Sequence, residues 1–514
     1  MSNGWNQGNK LMVSNPNPIS PIKLSELNIP EKVLKNFNVS SNLILMGVSE
    51  KSHLIQKDFV FFALPGTKTH GANFAAQAVS RGATLVVSDR QGQGIIKKMG
   101  LHIPIYVSEK PREMLSSFAA SFFKNKPPCI IGVTGTNGKT SVTHYIRQIW
   151  EFLGKTAASI GTTGVDGMID LRLDHTTPDT VKIHWLLNQM ANQGINHVAI
   201  EASSHGLLQR RLHGIKFLVG SFTNLTRDHF DYHNNIESYF EAKCILFERL
   251  IHENGGAVVC VDDDYGCRIL DIAKSNSSKI VTVGKNKCAD IRILSQAFNP
   301  EGQKLKFSWK DEEYIISLPL FGDFQAQNIL LTLGILEICG ENCKEVINLL
   351  ERLKPVPGRM EEVAIKKNGA RIFVDYAHTP DALEAALRSI RSHFLGKVHL
   401  VFGAGGDRDR GKRALMGKVS SNYSDNVIIT DDNPRTENPA TIRSEIKKFC
   451  PKAIEIGDRA EAILTGIDRL KSGDALIIAG KGHEKTQTFA SSTFPFNDAE
   501  QASLSVQALD MNPS

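Results

Sequence analysis

The stretch CIIGVTGTNGKTSVTHYIRQIWEFL, residues 129–153, decides the fold. Cys129 to Val133 is a short apolar run rich in β-branched residues, the composition of a buried parallel strand. Val142, Tyr145, Ile146, Ile149, Trp150 and Leu153 then recur at helical spacing, and Gly154 marks the stop. Between strand and helix lies Thr134-Gly135-Thr136-Asn137-Gly138-Lys139-Thr140. A glycine-rich turn at a helix N-terminus lets backbone N–H groups approach phosphates. Lys139 would add a point charge on the outer phosphates, and the Thr140 hydroxyl would face Mg²⁺. The strict phosphate-loop pattern requires glycine at 133, where Val133 stands, yet the strand, Gly-Lys-Thr and helix context is that of a nucleoside triphosphate site.

The same alternation extends in both directions. A chain of 514 residues suggests about three domains. Residues 1–20, with repeated Asn-Pro, read as a disordered extension. Residues 21–126 alternate short strands (Phe59 to Leu64, Thr84 to Ser88) with a helix near Phe74 to Arg81, and read as a small α/β binding domain. Lys124-Asn125-Lys126-Pro127-Pro128 is a linker signal, and a central domain follows over 127–356. Its strands His197 to Glu201 and Phe217 to Phe222 end beside Glu201 and a loop that includes His229, where open parallel sheets collect ligands. A carboxylate and an imidazole there could hold a divalent cation. Ile236 to Leu250 reads as a helix with Tyr239, Leu246, Phe247 and Leu250 on its apolar stripe. Lys243 falls on that stripe, either snorkelling out of it or buried, where desolvation favours the neutral amine. A neutral amine could take up CO₂ as a carbamate. Pro355-Val356-Pro357-Gly358 closes the domain.

Residues 357–514 carry strand candidates Arg371–Tyr376, Val398–Gly403, Asn426–Thr430 and Ala475–Gly480, and hence a second, doubly wound sheet. Each runs into a polar cluster: Asp375-Tyr376-Ala377-His378, Gly405 to Arg410, Asp431 to Arg435, and Gly480 to Glu484. An arginine grips a carboxylate and an acid holds an ammonium, so Arg408, Arg435 and Glu484 suit an amino acid.

The net charge of +6 is mild and spread along the chain, which favours small anionic substrates over nucleic acid. The 8 cysteines form no C-x-x-C pair. With a polar start lacking signal-peptide features, this points to a reducing cytoplasm. Ile329 to Ile338 is too short to span a membrane.

The phosphate-loop run, Glu201-Ala202-Ser203-Ser204-His205-Gly206, Asn224 to Asp228 with His229, and Pro357-Gly358-Arg359-Met360-Glu361 together resemble the Mur ligases. These are ATP-dependent enzymes that build the peptide stem of the bacterial cell wall. The resemblance extends from about residue 40 onward. It implies a UDP-binding N-terminal domain, a central P-loop ATPase and a Rossmann-like C-terminal domain. Within the family, Asp432-Asn433-Pro434-Arg435 is similar to the motif that recognises meso-diaminopimelate, and the Gly-Lys-Gly-His-Glu run agrees. The implied activity is ATP-dependent addition of meso-diaminopimelate to the D-glutamyl side-chain carboxylate of UDP-MurNAc-L-Ala-D-Glu, with no nucleic-acid or membrane partner, in a monomer.

By motif, Thr136, Asn137, Gly138, Lys139, Thr140, Ser141, Asn328 and Asp375 would bind ATP. Thr140, Glu201 and His229 would hold Mg²⁺, and Lys243 would be carbamylated, with Lys139, Glu201, His229 and Lys243 as the catalytic set. Ser52, Thr176, Thr177, Ser203, Gln209 and Arg211 would contact the UDP-linked precursor. Arg408, Asp432, Asn433, Pro434, Arg435, Gly480 and Glu484 would bind diaminopimelate. No residue stands out as the base for the incoming ammonium; His205 and His378 are candidates. Two departures from the family pattern stand out: Lys51-Ser52-His53 where the family has Asp-Ser-Arg, and Phe324-Gln325 where it has Phe-Asn. A lysine-adding sister ligase, a folylpolyglutamate synthetase or a non-catalytic nucleotide-gated binding module are the rival readings. Arg435 argues against the first, because lysine has no distal carboxylate.

Overall fold

The computed structural model describes residues 20–27, 40–66, 68–169, 171–173, 175–226 and 232–511. All but one residue of the expected N-terminal extension lies outside them, as do Asp228 and His229. The chain forms two compact units, one of Met1–Asp290 with Leu331–Cys343 and one of Ile291–Leu330 with Lys344–Ser514.

The first unit contains two parallel sheets. The N-terminal one orders Gly47–Ser49, Phe59–Ala63, Ala83–Ser88 and Ile105–Val107 side by side, all parallel. In the second, the phosphate-loop strand Cys129–Thr134 is central, with His197–Glu201 and then Ala157–Gly161 on one side. On its other side come Phe217–Phe222, Ile251–Cys260 and Lys279–Gly284, again all parallel. Gly164–Gly167 closes one edge antiparallel to Ala157–Gly161. Every residue of Cys129–Thr134 is buried, as a strand covered on both faces demands.

The helix after the loop spans Lys139–Phe152 and buries Val142, Tyr145, Ile146, Ile149 and Trp150 completely. Each such side chain contributes roughly 1.5–3 kcal/mol through burial. Gly154, at φ +74, ends it as anticipated. The helix expected over Ile236 to Leu250 is α-helical over Ile236–Ile245 and continues as a π-helical turn over Leu246–Leu250. The wider turn brings Leu246, Phe247 and Leu250 together into the core.

The second unit starts with an antiparallel meander, Ile291–Asn299, Gly302–Trp309 and Glu312–Leu318. Its main sheet orders Glu361–Ile365, Arg371–Asp375, Ala475–Ala479, Val398–Phe402, Asn426–Ile429 and Ile454–Glu455. All pairs are parallel except the first. Residues alternate between the two faces of this sheet. Phe373, Leu400, Phe402 and Ile477 pack with helices Pro380–Arg391, Gly411–Tyr423 and Pro439–Lys447. Ile372, Val374, Val401, Leu476 and Ile478 pack with helices Arg459–Asp468 and Asp498–Met511. Helices on both faces make this the doubly wound arrangement. Among the described residues, no helix is long and apolar enough to cross a membrane.

Candidate functional site

In the first unit, backbone hydrogen bonds tie the phosphate loop to the end of the neighbouring strand. Gly135 and Gly138 take φ +145 and +88, which side chains disfavour. The Thr136 N–H donates to the Asn224 carbonyl at 2.9 Å, and the Asn137 N–H to Asn224 Oδ1 at 3.0 Å. Thr223 Oγ1 donates to the Asn137 carbonyl at 2.6 Å. A Cβ on Gly135 would lie 1.9 Å from Thr223 Oγ1, so only glycine lets these two segments meet.

Lys139 folds back over the loop, donating to the Gly135 and Thr136 carbonyls at 2.9 and 2.7 Å. Thr140 and Ser141 are buried in the first helical turn. Lys243 is 1% exposed, which decides between the two readings of its stripe position in favour of burial. Its Nζ donates to the Gly135 carbonyl at 2.8 Å and lies 4.1 Å from the Tyr239 ring centroid. The lysine that breaks the helical pattern therefore reaches the phosphate loop itself.

Glu201 is also 1% exposed. Its two oxygens accept from the Thr162 N–H at 2.8 Å and the Thr162 hydroxyl at 3.1 Å, and no cation lies within ion-pair distance among the described residues. A Cβ on Gly161 would sit 1.9 Å from Glu201 Oε1. A buried carboxylate held by neutral donors alone is short of positive charge. Its hard oxygens and the Thr140 hydroxyl suit Mg²⁺. His229, the third expected ligand, lies outside the described residues. Among those described, no group of three His, Cys, Asp or Glu residues forms a metal cluster.

Thr176 Oγ1 lies 3.1 Å from Thr162 Oγ1. Thr177 Oγ1 donates to the Glu201 carbonyl at 2.7 Å and lies 2.9 Å from Ser203 Oγ, which caps the next helix. Arg211 donates to the Thr177 carbonyl at 2.5 Å and to Gln209 Oε1 at 3.2 and 2.8 Å. Thr177, Ser203, Gln209 and Arg211 are thus one bonded network. Ser52 stands apart from it, buried and donating to Gln77 at 2.6 Å. Its neighbour Lys51 pairs with Asp179 at 2.8 Å, where the family pattern has an acid. Thr162 carries no motif of its own, and nothing in the sequence points to it.

In the second unit, the four polar clusters follow the carboxyl ends of Arg371–Asp375, Val398–Phe402, Asn426–Ile429 and Ala475–Ala479, four parallel strands of one sheet. Asn433 Nδ2 donates to Glu484 Oε2 at 2.9 Å. Lys481, fully buried, reaches Glu484 Oε2 at 3.1 Å and the Thr486 carbonyl at 2.7 Å. Arg435, at φ +52, donates to the Gly406 carbonyl at 2.8 Å, and its own carbonyl accepts from the Ala490 N–H at 2.6 Å. Neither Arg435 nor the exposed Arg408 makes an ion pair among the described residues, unlike Arg413, which is held by Glu437 and Glu445 at 2.9 and 2.7 Å. Two guanidinium groups are left without an ion-pair partner at the strand ends. Asp432 is buried, and a Cβ on Gly480 would meet its Oδ2 at 2.5 Å. Pro434 lies between Asn433 and Arg435, and its carbonyl leaves no room for a side chain at Gly406.

Asp375 and Asn328 belong to this unit. Asp375 accepts from the Met360 and Ala377 N–H groups at 2.7 and 2.8 Å, and burial raises its pKa. Asn328 is buried and donates to Gln325 at 3.3 Å. His378 Nδ1 donates to the Tyr376 carbonyl at 2.7 Å, which leaves Nε2 as the acceptor of the neutral ring.

With this geometry in place, three family models match the chain: "Mur ligase family, catalytic domain" over residues 45–123, "Mur ligase middle domain" over 133–336, and "Mur ligase, glutamate ligase domain" over 358–482. A relative from Mesorhizobium japonicum, named UDP-N-acetylmuramoyl-L-alanyl-D-glutamate–2,6-diaminopimelate ligase, is 44% identical over 466 residues, 90% of this chain and 95% of its own. The chain belongs to the Mur ligase family. A solved structure of a UDP-N-acetylmuramoyl-L-alanyl-D-glutamate–2,6-diaminopimelate ligase superimposes with a TM-score of 0.70 at 31% identity, over 95% of this chain and 99% of that one. A Mur ligase structure from Thermotoga maritima, MurF in complex with ADP, shares the fold at a TM-score of 0.58 and 20% identity, over 85% of this chain and 94% of that one.

Proposed function

We propose that this Mur ligase joins meso-diaminopimelate to the D-glutamyl side-chain carboxylate of UDP-MurNAc-L-Ala-D-Glu, at the expense of ATP, in peptidoglycan precursor synthesis. The observation that carries the choice of amino acid is the pair of guanidiniums without an ion pair among the described residues, Arg408 and Arg435, beside Asn433 and Glu484. Diaminopimelate offers a second carboxylate for such a group, whereas lysine leaves it unpaired.

The glycine-rich loop presents its N–H groups to the ATP phosphates, with Lys139 and Thr136 to Ser141 around them. The D-glutamyl carboxylate attacks the γ-phosphorus, ADP leaves, and an acyl phosphate remains. Mg²⁺ held by Thr140, Glu201 and His229 would supply electrostatic neutralisation of the transferring phosphoryl group. Lys243, as a carbamate, would turn a cation beside Gly135 into an anion able to support that site. The diaminopimelate amine attacks the acyl carbon, forming the amide and releasing phosphate. The ammonium must first lose a proton, and Nε2 of His378 is the acceptor available at the strand-end site.

Phosphate release tests this reading. Purified protein with ATP, Mg²⁺ and UDP-MurNAc-L-Ala-D-Glu is expected to release phosphate with meso-diaminopimelate and not with L-lysine. Release with lysine would overturn the amino-acid assignment, and release with neither would overturn the ligase.

A further inference from the structure

Glu50 lies at the end of strand Gly47–Ser49, and its Oε2 is buried with no hydrogen-bond partner among the described residues. A buried carboxyl oxygen without a partner is expensive, and one in a native structure calls for an explanation, a bound group being one. The charged groups facing it are Asp179, Lys51, Arg211 and Arg112. Lys51 and Asp179 satisfy each other at 2.8 Å. The two arginines differ from that pair. Arg112 donates to the Pro65 carbonyl at 2.7 Å, and Arg211 to Thr177 and Gln209, all neutral acceptors. Neither makes an ion pair among the described residues. Two guanidinium charges thus lie within electrostatic reach of Glu50 without an ion pair of their own.

We propose that Arg112 and Arg211 form a subsite for an anionic group of the UDP-linked precursor, and that Glu50 admits that group only as the neutral acid, donating its proton to it in a hydrogen bond. The inference rests on the proposed substrate and deepens it: Arg112 and Glu50 carry no motif, and they join Arg211 in one function. The energetics agree with the geometry. Burial, and then the Asp179 carboxylate, raise the Glu50 pKa to about 7, so proton loss falls within the working range. Ionised Glu50 would hold the arginines for itself and repel an incoming anion. The anion could be the diphosphate or a carboxylate of the precursor; both accept the same hydrogen bonds.

The test is calorimetric binding of UDP-MurNAc-L-Ala-D-Glu, and separately of UDP, from pH 6 to 9, with wild type, Glu50→Gln and Arg112→Ala. The wild-type Kd for the precursor should be level below about pH 7 and rise about tenfold per pH unit above it, because one proton is required. Glu50→Gln keeps a donor that cannot ionise, so its Kd should stay near the low-pH wild-type value throughout. Arg112→Ala should weaken binding at least about tenfold at pH 6, the loss of one charged partner. A UDP profile with the same slope assigns the anion to the diphosphate; a level UDP profile assigns it to a carboxylate. A level wild-type profile for the precursor, or a Glu50→Gln variant that keeps the slope, overturns the proposal. Failure of the precursor to bind at any pH overturns the substrate reading itself, and this subsite with it.

Discussion

The phosphate loop and the strand-end site of the second unit both depend on backbone in the left-handed region, but they fill it differently. The loop uses Gly135 and Gly138, the residues for which φ +145 and +88 carry no penalty. The strand-end site uses Asp407 and Arg435 at φ +53 and +52, conformations that store about 1–3 kcal/mol each. The difference follows from what contacts the ligand. A loop that grips phosphate through N–H groups gains nothing from side chains at its bends, and a Cβ at Gly135 would collide with Thr223. An amino-acid site must present side chains, so it accepts strain to place them. Asp407 secures its bend by accepting from the Thr436 N–H and hydroxyl at 3.1 and 2.7 Å, and Arg435 by the parallel bridge to Phe489. Backbone chemistry is generic across ligands; side-chain chemistry chooses among them.

Substitution at Lys243 should have the largest effect. Lys243→Ala removes the buried cation or carbamate beside Gly135 and is expected to abolish useful ligation, a loss of about 10²–10³-fold in kcat of the kind seen when an electrostatic support is removed. Precursor binding should stay within a few-fold. Recovery of Lys243→Ala by added bicarbonate would contradict the carbamate, since alanine cannot be carbamylated.

Next in size is Arg459. It is fully buried, bonded to Asp498 through Nε and Nη2 at 2.7 Å each, and it donates to the Ala479 carbonyl at 3.1 Å just before the Gly480 cluster. Arg459→Ala leaves Asp498 buried and unpaired, and about 3–5 kcal/mol of stability should be lost in denaturant unfolding. If that loss appears while diaminopimelate affinity in the folded variant is unchanged, the side-chain site does not depend on this scaffold.

Arg435→Ala should cost about 10²-fold in kcat/KM for diaminopimelate, the range for a charged partner left without its arginine. Its ATP-site parameters should not move. Arg435→Lys should recover only part, because a single ammonium cannot reproduce the fork. Equal losses for diaminopimelate and lysine in Arg435→Ala would show that the residue positions the loop and does not select the ligand.

The contrast also bears on what can be read in sequence. Strands buried on both faces announce themselves as apolar runs, and Cys129–Thr134, His197–Glu201, Phe217–Phe222 and the four parallel strands leading into polar clusters were all legible. The meander Ile291–Leu318 was not. Its strands are half-buried, and Lys304, Lys306 and Glu313 interrupt the apolar signal. Lys243 was legible because it broke a helical period. Glu50, Arg112 and Thr162 break no local pattern; only the folded chain brings them to a site. The Arg459–Asp498 pair is invisible for the same reason.

Acid should separate the two regions by protonation window. His144, in the helix that follows the phosphate loop, is buried, and its Nδ1 has no hydrogen-bond partner among the described residues. Burial, and then the Arg147 charge, hold its pKa down at about 3, against 6.5 ordinarily. The folded state therefore refuses a proton that the unfolded state accepts below 6.5. Above that value the ring is neutral in both states and makes no difference to stability, which falls by about 1.4 kcal/mol per pH unit as pH drops from 6.5 towards 3. Glu437, beside the strand-end site, has the opposite chemistry. Its hydrogen bonds from Arg413 and the Asp407 N–H lower its pKa from 4.5 to about 2. Its contribution is present above 4.5 and is lost only as pH falls through 4.5 towards 2. Denaturant midpoints followed against pH should distinguish the two. His144→Gln should flatten the curve from about 6.5 down to about 3, whereas Glu437→Gln should leave the range above about 4.5 alone and change only the range below it. Parallel curves for wild type and His144→Gln above 4.5 would mean that the imidazole is not held neutral. The helix behind the phosphate loop would then tolerate a charge that its packing, as described, excludes.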